Sequence, residues 1–184
     1  MSRKSVFIIG GIVLITMPSL LLSANLLNNP GFENWTAGSP DDWSNDSKII
    51  LSREADTVHG GSYSVQVVCT TQTQAETDFW HTSQITVTAG QNYAFTVWVY
   101  DNDQAARARL YMQSDVGSSW PSVYSSDNSY WQQLSYVWTA PTGATWAKPS
   151  LRFYDIPGSW DGDAIFYVDD ASLTGGGGDI TPPY

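Results

Sequence analysis

Three apolar runs of the chain set rings and guanidinium groups on alternate positions, and alternate positions along a strand share one side. In NYAFTVWVY, Asn92–Tyr100, residues Tyr93, Phe95, Val97 and Val99 share one side, and Ala94, Thr96, Trp98 and Tyr100 share the other. In RARLYMQ, Arg107, Arg109, Tyr111 and Gln113 point away from Ala108, Leu110 and Met112. In SLRFYD, Ser150, Arg152 and Tyr154 point away from Leu151 and Phe153. Taking the purely apolar sets as core leaves one outward row of Trp98, Tyr100, Arg107, Arg109, Tyr111, Arg152 and Tyr154. The segment DFWHTSQ adds Trp80 and Gln84, and SSWPSVYSS adds Trp120 as a rim residue. Such a row suits polysaccharide, because aromatic rings stack on the apolar C–H faces of pyranose rings while planar amides and guanidinium forks hydrogen-bond pairs of hydroxyls. Arginine also pairs with carboxylates through two parallel hydrogen bonds, so a uronate fits as well. The row depends on register: a slip of one residue turns every member inward, and Trp98 suits a sandwich core as readily as a binding platform.

Other chemistries find little purchase. Glycoside hydrolysis needs two carboxylates flanking one bond, whereas the acids here cluster in turn-like pairs, Asp41/Asp42, Asp101/Asp103 and Asp161/Asp163. His59 lies in a glycine loop and His81 on an expected strand, which is no zinc spacing. Serine is plentiful, but no G-x-S-x-G elbow occurs. The single cysteine, Cys69 in SVQVVCT, excludes a disulfide within the chain and reads as a small buried residue on a strand. Enzyme activity is not expected within this chain.

The elements that must position these residues are strands. Period-2 patterns rich in aromatic and β-branched residues recur in SYSVQVV, NYAFTVWVY, ARARLYMQ, YWQQLSYVWTA, SLRFYD and AIFYVDDASL. Clusters of Gly, Asn, Asp, Ser and Pro separate them. This implies an all-β fold, a two-sheet antiparallel β-sandwich of jelly-roll type, spanning residues 25–174. Before it, Arg3 and Lys4, the apolar run Val6–Leu22 and the small residue Ala24 read as a secretory signal peptide over 1–24. Gly10, Gly11, Pro18 and Ser19 interrupt that run, which argues against a spanning anchor. After the sandwich, GGGGDITPPY, 175–184, reads as a Gly/Pro linker leading to a further domain, a frayed terminus being the alternative. Without Arg3 and Lys4, six basic side chains face 18 acidic ones, a formal charge of −12. Such a surface repels phosphate backbones, so nucleic acid is not an expected partner, and it suits solubility outside the cell.

An ordered set of motifs carries a resemblance. NLLNNPGFENW, then HGGSYSVQV, QITVTAGQNYAFTVWVY, YWQQLSYVWTAP and AIFYVDDASL together resemble the jelly-roll carbohydrate-binding modules of the family 4/9/16/22 type, galactose-binding-like in fold. The resemblance implies a secreted, non-catalytic accessory module that binds polysaccharide or oligosaccharide on a concave sheet face. It gives no membrane contact after signal cleavage. It also implies a structural calcium (Ca2+), with Glu33 and Asp169 as side-chain ligands and carbonyls near Gly31 and Gly61 completing the shell. Calcium takes six to eight oxygens from carboxylates and carbonyls, and Pro30 and Gly31 let the backbone turn its carbonyls inward. A hydrogen-bonded turn carboxylate is the alternative for Glu33. The same fold also serves as a structural or adhesive cell-surface module with no sugar site, which is the alternative function.

Overall fold

The computed structural model describes residues 24–175. The expected signal peptide lies outside the described residues but for Ala24, and the expected linker lies outside them but for Gly175. Thirteen strands follow in chain order: β1 Trp35–Thr36, β2 Ser39–Pro40, β3 Trp43–Asn45, β4 Ile49–Glu54, β5 Ser64–Cys69, β6 Asp78–His81, β7 Ile85–Thr86, β8 Asn92–Asp101, β9 Ala106–Ser114, β10 Gly117–Ser119, β11 Trp131–Thr139, β12 Trp146–Asp155 and β13 Ala164–Gly175. Gly175 therefore ends the last strand, opposite Tyr93, rather than opening the linker.

β1 and β2 form a small hairpin, and the other strands build two antiparallel sheets. One sheet runs β10-β9-β12-β6-β3, with β7 paired to β12; the other runs β11-β8-β13-β5-β4. The all-β antiparallel sandwich expected from the strand periodicity is the observed architecture. Among the described residues no helix is long and apolar enough to cross a membrane.

The period of two sets the core. Phe95, Val97 and Val99 of β8, Val65 and Val67 of β5, and Phe166 and Val168 of β13 are buried on the inner side of the five-stranded sheet. Ala108, Leu110 and Met112 of β9, with Leu151 and Phe153 of β12, are buried on the inner side of the six-stranded sheet. The layers meet where Phe153 packs on Phe166 with ring centroids 4.8 Å apart. Cys69 is buried and free, and burial pushes its thiol pKa up. Pro149 sits inside β12 opposite Met112, at the break between the strand's pairing with β7 and its pairing with β6. A missing N–H is tolerated at such a break.

The stretch NLLNNPGFENW closes one end of the sandwich. Phe32 is fully buried and meets Trp43, centroids 5.0 Å apart. Phe32 holds φ at +52°, a left-handed conformation that a bulky side chain adopts only under constraint. Asn29 supplies it: its Nδ2 donates to the carbonyls of Asn34 and Asp41, both at 2.9 Å, and its Oδ1 accepts from Asn34 N–H at 3.0 Å. Nearby, the two ends of the domain are clasped together. Leu26 N–H donates to Leu173 O at 2.8 Å, Leu173 N–H donates to Asn25 Oδ1 at 3.0 Å, and Asn25 Nδ2 donates to Ala171 O at 3.0 Å.

The topology corrects one expectation at its root. β8 belongs to the five-stranded sheet, whereas β9 and β12 belong to the six-stranded one. The single outward row read from three strands is therefore two rows on opposite faces of the molecule. Alternation reveals which residues face out, but nothing local in a strand reveals the sheet it joins.

Candidate functional site

On the outer side of the six-stranded sheet, strand register brings separate segments into line. Tyr111 of β9 pairs with Ser150 of β12, and Ser150 pairs with Trp80 of β6. The adjacent row runs from Arg109 through Arg152 to Asp78. A depression of about 320 Å³ lies over these rows, and Gln113 and Asp46 also line it. Arg152 donates from both Nε and Nη2 to the two carboxylate oxygens of Asp78. Its guanidinium carbon lies 4.6 Å from the centroid of the Tyr111 ring. The bond to Asp78 is the main cause that raises the already high Arg152 pKa, so the guanidinium is permanently charged and already paired. Asp46 Oδ2 accepts the Asp78 N–H at 3.0 Å and fixes the strand beneath that pair.

The segment 120–130 between β10 and β11 folds over the other end of this face. Ser125 anchors it: its N–H donates to Ala108 O at 2.8 Å, its Oγ accepts from Ala108 N–H at 2.6 Å, and its hydroxyl donates to buried Asp101. Burial pushes the Asp101 pKa up to about 6, against the lowering effect of the Ser125 hydrogen bond. The segment carries Trp120, which is 49% exposed and lies 14° from parallel with Tyr111 at a centroid distance of 5.9 Å. It also carries Tyr124, whose ring lies 3.8 Å from the Arg107 guanidinium and 4.8 Å from that of Arg109. Tyr124 meets Tyr154 edge-on, and Arg109 donates to both tyrosine hydroxyls.

The structure thus sorts the expected binding residues. Trp80, Tyr111 and Arg152 line the depression, and Trp120 stacks beside Tyr111. Arg109 stands beside them, holding Tyr124 and Tyr154. Tyr154 points outward by register but is only 3% exposed, roofed by Tyr124 and Arg109. The Arg107 guanidinium lies against the same Tyr124 ring, and its Nε is buried without a hydrogen-bond partner. Tyr154 and Arg107 are therefore corrected from contact residues to supports of the segment above them. Gln84 lies exposed between β6 and β7, away from the depression. Trp98 and Tyr100 lie on the outer face of the other sheet, half-buried, where His59 stacks on Trp98 at 4.0 Å. Asp46, Asp78 and Tyr124 escaped the sequence reading. Alternation in DFWH does put Asp78 beside Trp80, but pairing with Arg152 requires knowing that β6 adjoins β12.

The carboxylates of the resemblance gather around one glycine loop. Asp169 Oδ2 accepts the N–H groups of His59 at 2.9 Å and Gly60 at 3.1 Å, and its Oδ1 accepts Asp170 N–H at 2.8 Å. Glu33 Oε1 accepts Ser62 N–H at 2.8 Å and Tyr63 N–H at 3.2 Å. The Asp170 carboxylate meets His59 Nδ1 at 2.6 Å. Only glycine fits the loop: a Cβ on Gly61 would lie 2.0 Å from Glu33 Oε1, and Gly61 holds φ at +66°. Burial pushes the Asp169 pKa up to about 6 despite its three amide donors. Among the described residues no three His, Cys, Asp or Glu side chains are grouped to hold a metal ion. A site of two carboxylates plus carbonyls needs no such group, and oxygen donors are the type calcium takes.

A larger depression, about 480 Å³, lies at Trp35, Gly38, Leu51, Ser52 and Arg53. It has one aromatic wall and no row of rings, so the smaller depression is the better candidate for ring stacking.

No protein-family model matches the chain, and no curated protein does. Solved structures do match. The xylan-binding domain of family 22 from Paenibacillus barcinonensis Xyn10C superposes with a TM-score of 0.55 at 15% identity, covering 79% of this chain and 91% of that one. A family 61 carbohydrate-binding module in complex with β-1,4-galactotriose gives 0.56 at 20% identity, covering 82% and 98%. This is the fold of carbohydrate-binding modules. An arabinose-bound α-L-arabinofuranosidase gives 0.62 at 15% identity over 85% of this chain but only 27% of its own, so the same sandwich also occurs as one part of an enzyme chain. At these identities the likeness is one of fold.

Proposed function

We propose that the protein is a secreted, non-catalytic module that binds polysaccharide on the outer face of its six-stranded sheet. One observation carries this reading: Trp80 and Tyr111, with Trp120 stacked beside Tyr111, flank a depression in which Arg152 and Asp78 neutralise each other. Rings of this kind offer faces to pyranose C–H groups, and exposed Gln113 beside them offers hydrogen bonds to hydroxyls. Because Arg152 already grips a carboxylate, neutral sugars suit the site better than uronates. The fold neighbours include a xylan-binding domain and a galactotriose complex, which supports glycan as the ligand class. Affinity electrophoresis and calorimetry against xylan, β-1,4-galactan and polygalacturonate test the reading. Binding to a neutral polymer, lost in Tyr111→Ala, is the expected result. If the folded protein binds none of them and Tyr111→Ala instead changes its assembly, the structural or adhesive alternative takes its place.

Calcium belongs to the same proposal. Glu33 and Asp169, with carbonyls at Gly31 and Gly61, would hold it, tying the N-terminal turn and the glycine loop to β13. What supports this is that Glu33 and Asp169 both turn carboxylate oxygens to the glycine loop, and oxygen donors are the type calcium takes.

A further inference from the structure

We propose that the outer face of the five-stranded sheet is a second carbohydrate-binding surface, independent of the depression, that takes an extended uncharged oligosaccharide across β11, β8 and β13. Three rings stand in one register row: Trp131 pairs with Tyr100, and Tyr100 pairs with Tyr167. Their centroids are spaced 5.9 and 5.8 Å along a line perpendicular to the strands. All three are half-buried, and neighbouring rings meet edge-on, at 68° and 76°. The row continues into polar groups, since Tyr167 pairs with Gln66 and Gln66 with Ser52. Ser52 Oγ donates to Gln66 Oε1 at 3.0 Å, and Gln66 Nε2 reaches the Tyr167 hydroxyl at 3.4 Å.

A wall bounds one side. His59 stacks on Trp98 at 4.0 Å and meets Trp131 edge-on at 5.5 Å, so the glycine loop rises beside the rings instead of covering them. Gln133, half-buried and paired with Trp98, adds an amide at the foot of that wall. On the other side the row borders aliphatic Ile165, Val68 and Ile50.

The chemistry selects the occupant. Sheet faces that merely meet water carry Lys, Glu and Thr, whereas this row holds rings and amides and no charged side chain. The chain as a whole carries a formal charge of −10, which repels a polyanion and leaves a neutral polymer unopposed. A run of rings that ends in an amide and a hydroxyl suits a pyranose chain, which offers C–H faces to rings and hydroxyls to polar groups. A partner protein or second copy of this chain would bury the aliphatic border as well, which makes it distinguishable.

Indole N–H resonances of ¹⁵N-labelled protein test this directly, assigned by single Trp→Phe substitutions and titrated with xylohexaose and β-1,4-galactotriose. With at least one probe the Trp98 and Trp131 signals are expected to move. In Tyr111→Ala the signals of Trp80 and Trp120 should stand still while those of Trp98 and Trp131 still move. Tyr100→Ala should do the reverse and weaken the second surface at least tenfold, with Trp131→Ala as a second variant at a half-exposed position. The proposal is overturned if neither probe moves Trp98 or Trp131, or if their movement disappears together with that of Trp80 in Tyr111→Ala. Light scattering that shows self-association of the wild type, abolished by Tyr100→Ala, overturns it in favour of a second copy.

Discussion

Tyr111 on β9 and Trp120 on the segment after β10 lie within 14° of parallel, with centroids 5.9 Å apart. One ring is fixed to the sheet, and the other rides on a loop that Ser125, Asn128 and Tyr124 fasten to the strands beneath it. The geometry of the candidate site is therefore shared between a rigid element and an adjustable one.

Trp120→Ala should weaken neutral-glycan binding about tenfold with little effect on stability, because its ring is largely exposed. A stacked aromatic contact contributes about 0.5–1.5 kcal/mol beyond its buried area, and 1.4 kcal/mol is a factor of ten in affinity. Calorimetry reads the affinity and urea unfolding the stability. Unchanged affinity would remove Trp120 from the site.

Asp78→Asn leaves the Arg152 guanidinium partly buried with no ionised partner. We expect a loss of about 1.5–3 kcal/mol in unfolding free energy, the range for hydrogen bonds to charged groups. Uronate binding should rise at the same time, since Arg152 becomes free to pair with a sugar carboxylate. Urea unfolding and titration with oligogalacturonate measure the two effects; a variant as stable as the wild type would show the pair to be dispensable.

Asp101 gives the fold a titratable anchor. Its folded pKa is raised to about 6 from 3.8, so between those values the folded state holds a proton that the unfolded chain releases. Its contribution to stability is complete below about pH 4 and is lost as pH rises through 6. His81 acts in the opposite sense. Buried and accepting the Asn28 N–H, it is held neutral with a lowered pKa, so stability is lost as pH falls below its ordinary range. Comparing wild type with Asp101→Asn cancels the His81 effect. The variant should gain stability relative to wild type between pH 4.5 and pH 7.5, measured by urea unfolding at each pH, and a flat difference would contradict the assignment.

Calcium is expected to raise the melting temperature, and EDTA to lower it, in wild type but not in Glu33→Gln. Scanning calorimetry with and without the ion decides this. An identical melting temperature in both conditions would leave the amide donors of Ser62, Tyr63, His59, Gly60 and Asp170 as the support of these carboxylates.

Much of this was legible in the chain. The alternation of NYAFTVWVY assigned Tyr93, Phe95, Val97 and Val99 to the core, and all four are buried. Trp98, Tyr111 and Arg152 point outward as the period of two requires. The grouping of those outward residues was not legible. β8 and β9 are consecutive, yet they enter different sheets, and only long-range pairing decides that. Tyr154 and Arg107 were misread because the roof over them comes from a loop whose anchor, the Ser125 hydroxyl on Asp101, has no periodic signature.

The clasp of Asn25 and Leu26 on Ala171 and Leu173 also governs how the molecule bears load. Tension applied along the polypeptide enters and leaves at neighbouring points, so it loads that short seam together with the pairing of Gly175 on Tyr93 before it reaches the bulk of the sandwich.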